Sequence, residues 1–99
     1  MKYYKLAADQ GHADAQYCLG VMYDKEQDVM QSKQKAFKYF KLAADQGHTD
    51  AQYFVGMMYQ KGRGVSPSGE EAIKYYKLAA KQGDTMAASK INSIISRQN

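Results

Sequence analysis

The chain repeats itself at a fixed spacing of 36 residues. Residues 2–23 read KYYKLAADQGHADAQYCLGVMY and residues 38–59 read KYFKLAADQGHTDAQYFVGMMY, so only five of 22 positions differ. The same spacing reaches residues 74–95, KYYKLAAKQGDTMAASKINSII, where the first half is kept and the second half diverges. A period of this length predicts a solenoid of three small units that bury their apolar faces against one another.

The first half of each unit has the periodicity of an amphipathic helix, which we name helix A. In the second unit, one side of this helix is apolar and the other is charged. The apolar side holds Ala36, Tyr39, Phe40, Ala43 and Ala44, and the charged side holds Lys38, Lys41 and Asp45. Gly47 is predicted to end the helix, as Gly11 and Gly83 are in the other units.

A second helix, helix B, follows in each unit. Its inward side in the second unit is predicted to hold Ala51, Phe54, Val55, Met58 and Tyr59. Gly62 and Gly64 permit a tight return, and Ser68 with Glu71 fits a capping box at the start of the next helix A, a start that Ser32 marks one unit earlier. The sequence therefore predicts an all-α solenoid of antiparallel helical hairpins, with units at about 1–31, 32–67 and 68–99.

These residues together resemble the Sel-1-like repeat, a relative of the tetratricopeptide repeat. The pattern positions of that family are occupied by Ala36, Phe40, Ala43, Ala44, Gly47, Ala51, Val55, Gly56, Tyr59, Gly62, Gly64 and Val65. The resemblance implies a right-handed, tetratricopeptide-like superhelix that scaffolds protein complexes and has no catalytic centre. The first loop, DKEQDV, departs from the pattern because it lacks both loop glycines.

The two ends of the array also depart from the repeat. Asn92 stands where Gly20 and Gly56 stand in the other units, and Lys90 replaces an apolar residue, so the last helix is predicted to be a cap. Met1 aligns with Phe37, and the first turn of helix A has no counterpart. We therefore expect either a piece of a longer array or an open end that something covers. One alternative function is accordingly an oligomerisation segment that pairs through this end.

Two histidines could suggest chemistry, because His12 and His48 each lie two residues before an aspartate. Each histidine directly follows the glycine that ends helix A, and Asp84 takes this place in the third unit. These positions favour helix N-caps over a metal site or a general base. No other pattern points to a nucleophile, an acid and base pair, a metal or a cofactor, so the sequence predicts no enzyme.

The tyrosines recur mostly on apolar helix sides, which predicts core packing, whereas Tyr17 and Tyr53 lie away from the apolar side of helix B and are predicted to be exposed. Cys18, the single cysteine, aligns with Phe54 and is predicted to be a small buried side chain that has no disulfide partner. No stretch is apolar and long enough to cross a membrane or to resemble a signal peptide, and the compartment is left open.

Lysines recur at two positions of helix A in all three units, and the resemblance implies that helix A lines the concave side. The predicted partner-binding surface, which we name the helix A face, comprises Lys2, Tyr3, Lys5, Leu6, Lys38, Tyr39, Lys41, Leu42, Lys74, Tyr75, Lys77 and Leu78. The three leucines stand where the family usually carries a polar residue. A protein partner that is acidic or amphipathic would suit this mixture.

Two other interpretations of the lysines are open. They could simply be the solvated side of an amphipathic helix. With a formal net charge of +4, they could also bind nucleic acid or another anion weakly, although Asp9 and Asp45 on the same side disfavour a surface that follows phosphates.

Overall fold

The computed structural model describes residues 2–25 and 30–98, with side chains at 5–25 and 32–96. These residues form six helices: α1 Lys2–Asp9, α2 Ala13–Asp24, α3 Met30–Asp45, α4 Thr49–Lys61, α5 Gly69–Lys81 and α6 Thr85–Gln98. Helices α1, α3 and α5 are the three helices A, and α2, α4 and α6 are the three helices B. Each helix contacts the next along the chain, and the molecule measures 46 × 29 × 16 Å. The predicted all-α solenoid of three hairpins is confirmed.

The predicted inner side of helix A is buried. In α3, Ala36 and Ala43 are fully buried and Phe40 is 1% exposed, whereas Lys38 and Asp45 on the opposite side are exposed. In α4, Ala51, Val55 and Met58 are buried, and Phe54 and Tyr59 pack against the same cluster. The 3.6-residue periodicity therefore located the core correctly in both helices of the central hairpin.

Successive hairpins are joined where helix B of one packs against helix A of the next, in the contacts α2–α3 and α4–α5. At each of these joints a glycine faces an aromatic ring. A β-carbon at Gly20 would lie 2.6 Å from Cδ1 of Phe40, and one at Gly56 would lie 2.7 Å from Cδ1 of Tyr76. The helices can approach this closely only because neither glycine has a side chain.

The loop from α4 to α5 depends on its two glycines. Gly62 ends α4 in the left-handed conformation (φ 70°), and its N–H donates to the carbonyl of Met58. Gly64 also has a positive φ of 76°, and a β-carbon there would lie 2.4 Å from the carbonyl oxygen of Lys33 in α3. Any residue other than glycine at either position would be held in a strained backbone conformation.

The end of α2, which has no such glycines, is held by basic side chains instead. Arg63 Nη2 lies 3.0 Å from Oδ1 of Asp24 and also contacts the Asp24 carbonyl oxygen. Lys33 Nζ donates to the same carbonyl oxygen and lies 3.5 Å from Oδ1. Both cations therefore stabilise the negative end of the helix dipole, where cations are favoured. The rest of the first loop, 26–29, lies outside the described residues.

Helix starts agree with the prediction in one unit and differ in another. The Ser68 hydroxyl accepts a hydrogen bond from the Glu71 N–H at 3.2 Å, which confirms Ser68 as the N-cap of α5. The Ser68 N–H donates to the Tyr59 carbonyl, so the reciprocal half of the capping box is replaced by a contact to α4. The predicted start at Ser32 is wrong, because α3 begins at Met30 and Ser32 lies buried inside it.

The last helix, α6, buries only one side. Ala87 and Ile94 are buried against α5, and Asn92, at the position of the two joint glycines, is exposed. Met86 and Ile95 are 62% and 45% exposed. The outer side of α6 therefore lacks the close-packing features of α2 and α4, as expected of a cap.

Candidate partner-binding surface

Three leucines of the helix A face are exposed in all three units. Leu6, Leu42 and Leu78 are 60%, 42% and 37% exposed, and the other exposed large hydrophobic side chains in the described part of the chain are Met86 and Ile95 on α6. A leucine normally gains about 1.5–3 kcal/mol from full burial. Leu6, Leu42 and Leu78 occupy the same repeat position in the three helices A, and none of them obtains this full stabilisation.

The three helices A lie next to one another. Tyr39 of α3 packs in one cluster with Ala8 of α1, and the hydroxyl of Tyr75 in α5 donates to Oδ1 of Asp45 in α3 at 3.0 Å. Side chains of α1 and α3, and of α3 and α5, therefore meet along the helices A. The described lysines of the helix A face are Lys5, Lys38, Lys41, Lys74 and Lys77, whereas the side chains of Lys2 and Tyr3 lie outside the described residues.

The tyrosines of the helix A face are not on the surface. Tyr39 and Tyr75 are 9% and 3% exposed, and their rings stack on Tyr23 and Tyr59 of helices B, with centroids 5.8 and 6.1 Å apart. The expectation that these rings flank a binding groove is corrected by this burial. The two rings instead contact lysines of the surface. Nζ of Lys38 lies 5.6 Å from the centre of the Tyr39 ring, and Nζ of Lys74 lies 5.6 Å from the centre of the Tyr75 ring.

One lysine of this surface is engaged within the protein. Lys41 Nζ donates to Oδ2 of Asp45 at 2.9 Å, and this hydrogen bond raises the pKa of Lys41. Burial, followed by the hydrogen bond to Asp45, raises the pKa of the Tyr75 hydroxyl. The Asp45 carboxylate thus accepts hydrogen bonds from both Lys41 and Tyr75. The exposed lysines at 38, 74 and 77 have no such carboxylate partner among the described contacts.

Two shallow depressions lie beside the exposed leucines. One, of about 310 Å³, is lined by Phe37, Lys38, Lys41, Leu42 and Asp45. The other, of about 450 Å³, is lined by Lys77, Leu78, Ala80 and Lys81. Each is lined by both apolar and basic side chains, a combination that suits an apolar side chain with a neighbouring acid.

Tyr17 and Tyr53, predicted to be exposed, lie instead in the joints between hairpins. The Tyr17 ring is half-buried, stacks on His48 with centroids 4.6 Å apart and also packs against Phe54 of the next hairpin. The Tyr53 ring packs against Tyr76 at 5.7 Å. The prediction failed because the helical wheel of a single helix identifies only the side that packs within its own hairpin. Helix B has a second buried side, which packs against the following unit.

Two glutamine pairs, which the sequence analysis missed, lie in the same joints, one pair in each. Gln16 and Gln52 are buried, and each Nε2 donates to a carbonyl of its own hairpin, at Ala8 and Ala44, at 3.1 Å. Each Oε1 accepts from a glutamine of the next hairpin. Gln46 donates to Gln16 at 2.5 Å and Gln82 donates to Gln52 at 2.8 Å. Their recurrence at the 36-residue spacing was the signal that could have revealed them.

The residues after the helix A glycines behave differently in the three units. His48 Nδ1 accepts from the Ala51 N–H at 3.1 Å, and Asp84 accepts from the N–H groups of Met86 and Ala87, so both cap the following helix. His48 Nε2 therefore carries the ring proton and faces Oδ1 of Asp14 at 3.2 Å. His12 is the N-cap residue of α2 as predicted, but its side chain makes no cap hydrogen bond. The N-cap position is therefore confirmed for both histidines, whereas only His48 caps through its side chain.

A groove lies at the first hairpin, and we name it the first-repeat groove. It has a volume of about 670 Å³, and its lining includes Leu6, Gln10, His12, Asp14, Ala15 and Cys18. Cys18 is half-buried at the groove wall rather than buried in the core as predicted. Within the described residues, no three His, Cys, Asp or Glu side chains are grouped so that they could hold a metal ion. No helix in the described ranges is long and apolar enough to span a membrane.

Comparisons with known proteins agree with this architecture. The model of the Sel1 repeat matches residues 1–12, 13–48 and 49–84. The crystal structure of a Sel1 repeat protein from Oxalobacter formigenes is similar, with 33% identity, a TM-score of 0.85, and coverage of 93% of this chain and 69% of the other.

A second similar structure is a protective antigen present in uropathogenic Escherichia coli strains, which displays an SLR fold. Its identity is 33% and its TM-score is 0.85, over 95% of this chain and 20% of that one. This chain therefore spans about a fifth of the length of the antigen. A comparison with curated proteins gives no match.

Proposed function

The chain belongs to the Sel1 repeat family, and on that premise we propose that it is a non-catalytic scaffold that binds a protein or peptide partner on the helix A face. Sel1 repeats typically mediate protein interactions. The proposed binding residues are Lys5, Leu6, Lys38, Leu42, Lys74, Lys77 and Leu78, with Lys2 at the same repeat position and Lys41 as a partial contributor. Tyr39 and Tyr75 contribute by supporting lysines, since their rings are buried.

The observation that carries the proposal is the exposure of the three leucines. A surface that served only to solvate the helices would place polar residues at all of its positions. Here one apolar position recurs beside basic positions on three adjacent helices. Because the leucine sites follow the repeat, a partner that contacts one unit can contact the next in the same way.

The chemistry of the surface favours an amphipathic segment with acidic residues. Leucine side chains would bury apolar residues of the partner, and lysines would pair with its carboxylates. Lys41 is the least available cation, because it is paired with Asp45. Nucleic acid is a weaker candidate, because Asp9 and Asp45 lie among the lysines.

The proposal is tested by selecting helical peptides that bind the purified chain and measuring their affinity for surface variants. The double variant Leu42→Ala with Leu78→Ala is expected to weaken binding at least about tenfold, mainly through faster dissociation. Lys38→Glu with Lys77→Glu is expected to slow association and to remove most of its dependence on salt. These lysines are preferred to Lys41, whose replacement would also disturb Asp45 and Tyr75.

The matched controls lie on other helices. Ile95→Ala removes a side chain of α6 that is 45% exposed, close to the 42% of Leu42, and Lys61→Glu reverses an exposed charge of α4. Both should leave binding unchanged. If the controls weaken binding as much as the helix A variants, the proposed surface is wrong. Binding of random oligonucleotides that persists at physiological salt concentration would favour the nucleic-acid alternative.

A further inference from the structure

The three helices A differ in charge at one exposed position beside the helix A face. The residue four places after the second lysine of each helix is Asp9 in α1, Asp45 in α3 and Lys81 in α5, and all three are exposed. A spacing of four residues puts this side chain one turn beyond the lysine, on the same side of the helix. The third unit therefore carries a second cation where the other two units carry an acid.

In the second unit the acid is paired with the lysine of the preceding turn. Nζ of Lys41 lies 2.9 Å from Oδ2 of Asp45, and both residues line the depression beside Leu42. A carboxylate of a partner would have to compete with Asp45 for Lys41. Among the described contacts of this depression, Lys38 is the cation that has no carboxylate partner. The second unit therefore offers apolar contact and little free positive charge.

In the third unit two lysines lie on either side of an exposed leucine. Lys77, Leu78 and Lys81 line the depression of about 450 Å³, together with Ala80. Within the part of the chain that the structure describes, neither lysine lies within ion-pair distance of a carboxylate. Like charges at this spacing destabilise a helix slightly, whereas the opposite charges of the second unit stabilise it. The third unit therefore keeps two unpaired cations around an apolar side chain.

The position of Lys81 is open whether or not another hairpin follows it. Asp45 occupies the same repeat position in a unit that is followed by α5, and its side chain is still 50% exposed. Leu42, beside it, is 42% exposed in the same setting. The exposure of Lys81 and Leu78 therefore follows from their place on helix A and does not require them to lie in the last hairpin.

We infer that α5 is the part of the helix A face that recognises acidic side chains of the partner. Lys77 and Lys81 bind two carboxylates that flank an apolar residue, and that apolar residue packs on Leu78. The inference rests on the proposed function and adds Lys81 as a residue that determines specificity. It also orients the partner, because its acidic part lies on α5 and its less charged part lies on α3.

Two capped synthetic peptides test the inference. They differ only in the two residues that flank a central leucine, which are glutamates in one peptide and glutamines in the other. Each is titrated at low salt into the isotope-labelled chain, and the amide chemical shifts of α3 and α5 are followed by NMR. The glutamate peptide should shift the amides around Leu78 and should bind at least about fivefold more tightly than the glutamine peptide.

Lys81→Asp gives α5 the same charge pattern as α3. This variant should lose most of the preference for the glutamate peptide and should bind the glutamine peptide as the parent does. The matched control is Lys61→Asp, because Lys61 is an exposed lysine at the end of α4, as Lys81 is at the end of α5. The control makes the same change in net charge and in the interaction with a helix dipole, and it should keep the preference.

Equal affinity for the two peptides would overturn the inference, as would glutamate-dependent shifts centred on Leu42. A preference that Lys61→Asp reduces as much as Lys81→Asp would show an effect of net charge alone, with the same consequence. An oligonucleotide that shifts the same α5 amides and binds more tightly than the glutamate peptide would assign the two lysines to nucleic acid instead. The peptide selection for the scaffold function does not prescribe acidic residues, so it can succeed where this test fails, and the two failures are distinguishable.

Discussion

Gly56 in α4 lies directly against the ring of Tyr76 in α5, so closely that a β-carbon at position 56 would be 2.7 Å from both Cδ1 and Cε1 of the tyrosine. Tyr76 is fully buried, and its hydroxyl donates to Oε1 of Gln60 at 2.7 Å. The ring therefore cannot move aside without losing packing and a hydrogen bond. This contact fixes the distance between the second and third hairpins.

Gly56→Ala is accordingly expected to destabilise the protein by about 1–3 kcal/mol, and Gly56→Leu by more, because both force α4 and α5 apart. Urea unfolding followed by circular dichroism measures the change in unfolding free energy. Asn92→Ala, at the matching but exposed position of α6, should change stability by less than about 0.5 kcal/mol. Equal effects at the two positions would show that Gly56 is not at a tight joint.

The sequence predicted the hairpins, their inner sides and their order well, because each depends on the local spacing of apolar residues and glycines. It did not predict what happens between hairpins. Tyr17 was assigned to the surface and Gln16 was not noticed, yet both lie in a joint. Contacts between units join residues about 30 positions apart, and the periodicity of one helix carries no information about them.

The candidate surface could be predicted only in part for the same reason. Leu42 and Lys38 are exposed as predicted, but Tyr39, which the helical wheel placed on the apolar side, was also included in the predicted binding surface. Tyr39 is buried because Tyr23, on the neighbouring helix B, covers its ring. A boundary position on a helix becomes surface or core according to its neighbour, which the pattern of a single helix does not include.

The two glutamine pairs predict that a polar side chain is needed at the buried position 52. Gln52→Leu keeps the approximate volume but removes the donor to the Ala44 carbonyl and the acceptor for Gln82. Leaving buried polar groups unpaired should cost about 1–3 kcal/mol in unfolding free energy. Gln34→Leu, at an exposed position of α3, is the control and should be nearly neutral in the same urea titration. An unfolding free energy unchanged by Gln52→Leu would contradict the structural role of the glutamine pairs.

The two histidines should respond oppositely to replacement by aspartate. His12 occupies the N-cap position of α2 without a side-chain hydrogen bond, so His12→Asp adds that hydrogen bond and should stabilise α2 by about 0.5–1 kcal/mol. His48→Asp should destabilise the protein, since it removes the ring that stacks on Tyr17 and brings a second carboxylate towards Asp14. Thermal melts of the two variants give the comparison. Stabilisation by both would show that the ring contacts of His48 contribute little.

Alkaline pH should weaken the fold through its buried tyrosines. Burial raises the pKa of Tyr76, Tyr75, Tyr17 and Tyr53 above the ordinary value, because the phenolate is poorly solvated in the joints. In the unfolded chain these hydroxyls ionise near about pH 10. The folded state therefore holds more protons than the unfolded state above that pH, and the unfolding free energy must fall as pH rises.

The raised pKa of Lys41, caused mainly by its hydrogen bond to Asp45, acts in the same direction, since that stabilisation is lost as pH rises through the folded-state value. Each tyrosine can contribute a slope of at most about 1.4 kcal/mol per pH unit. Urea unfolding between pH 8 and about pH 11 should therefore show stability that is level at first and then declines steeply. Tyr76→Phe loses the hydrogen bond to Gln60 and should be less stable at pH 8, yet its decline should be shallower because one proton no longer participates. A decline as steep as that of the parent would mean that Tyr76 is not among the groups whose ionisation opposes folding.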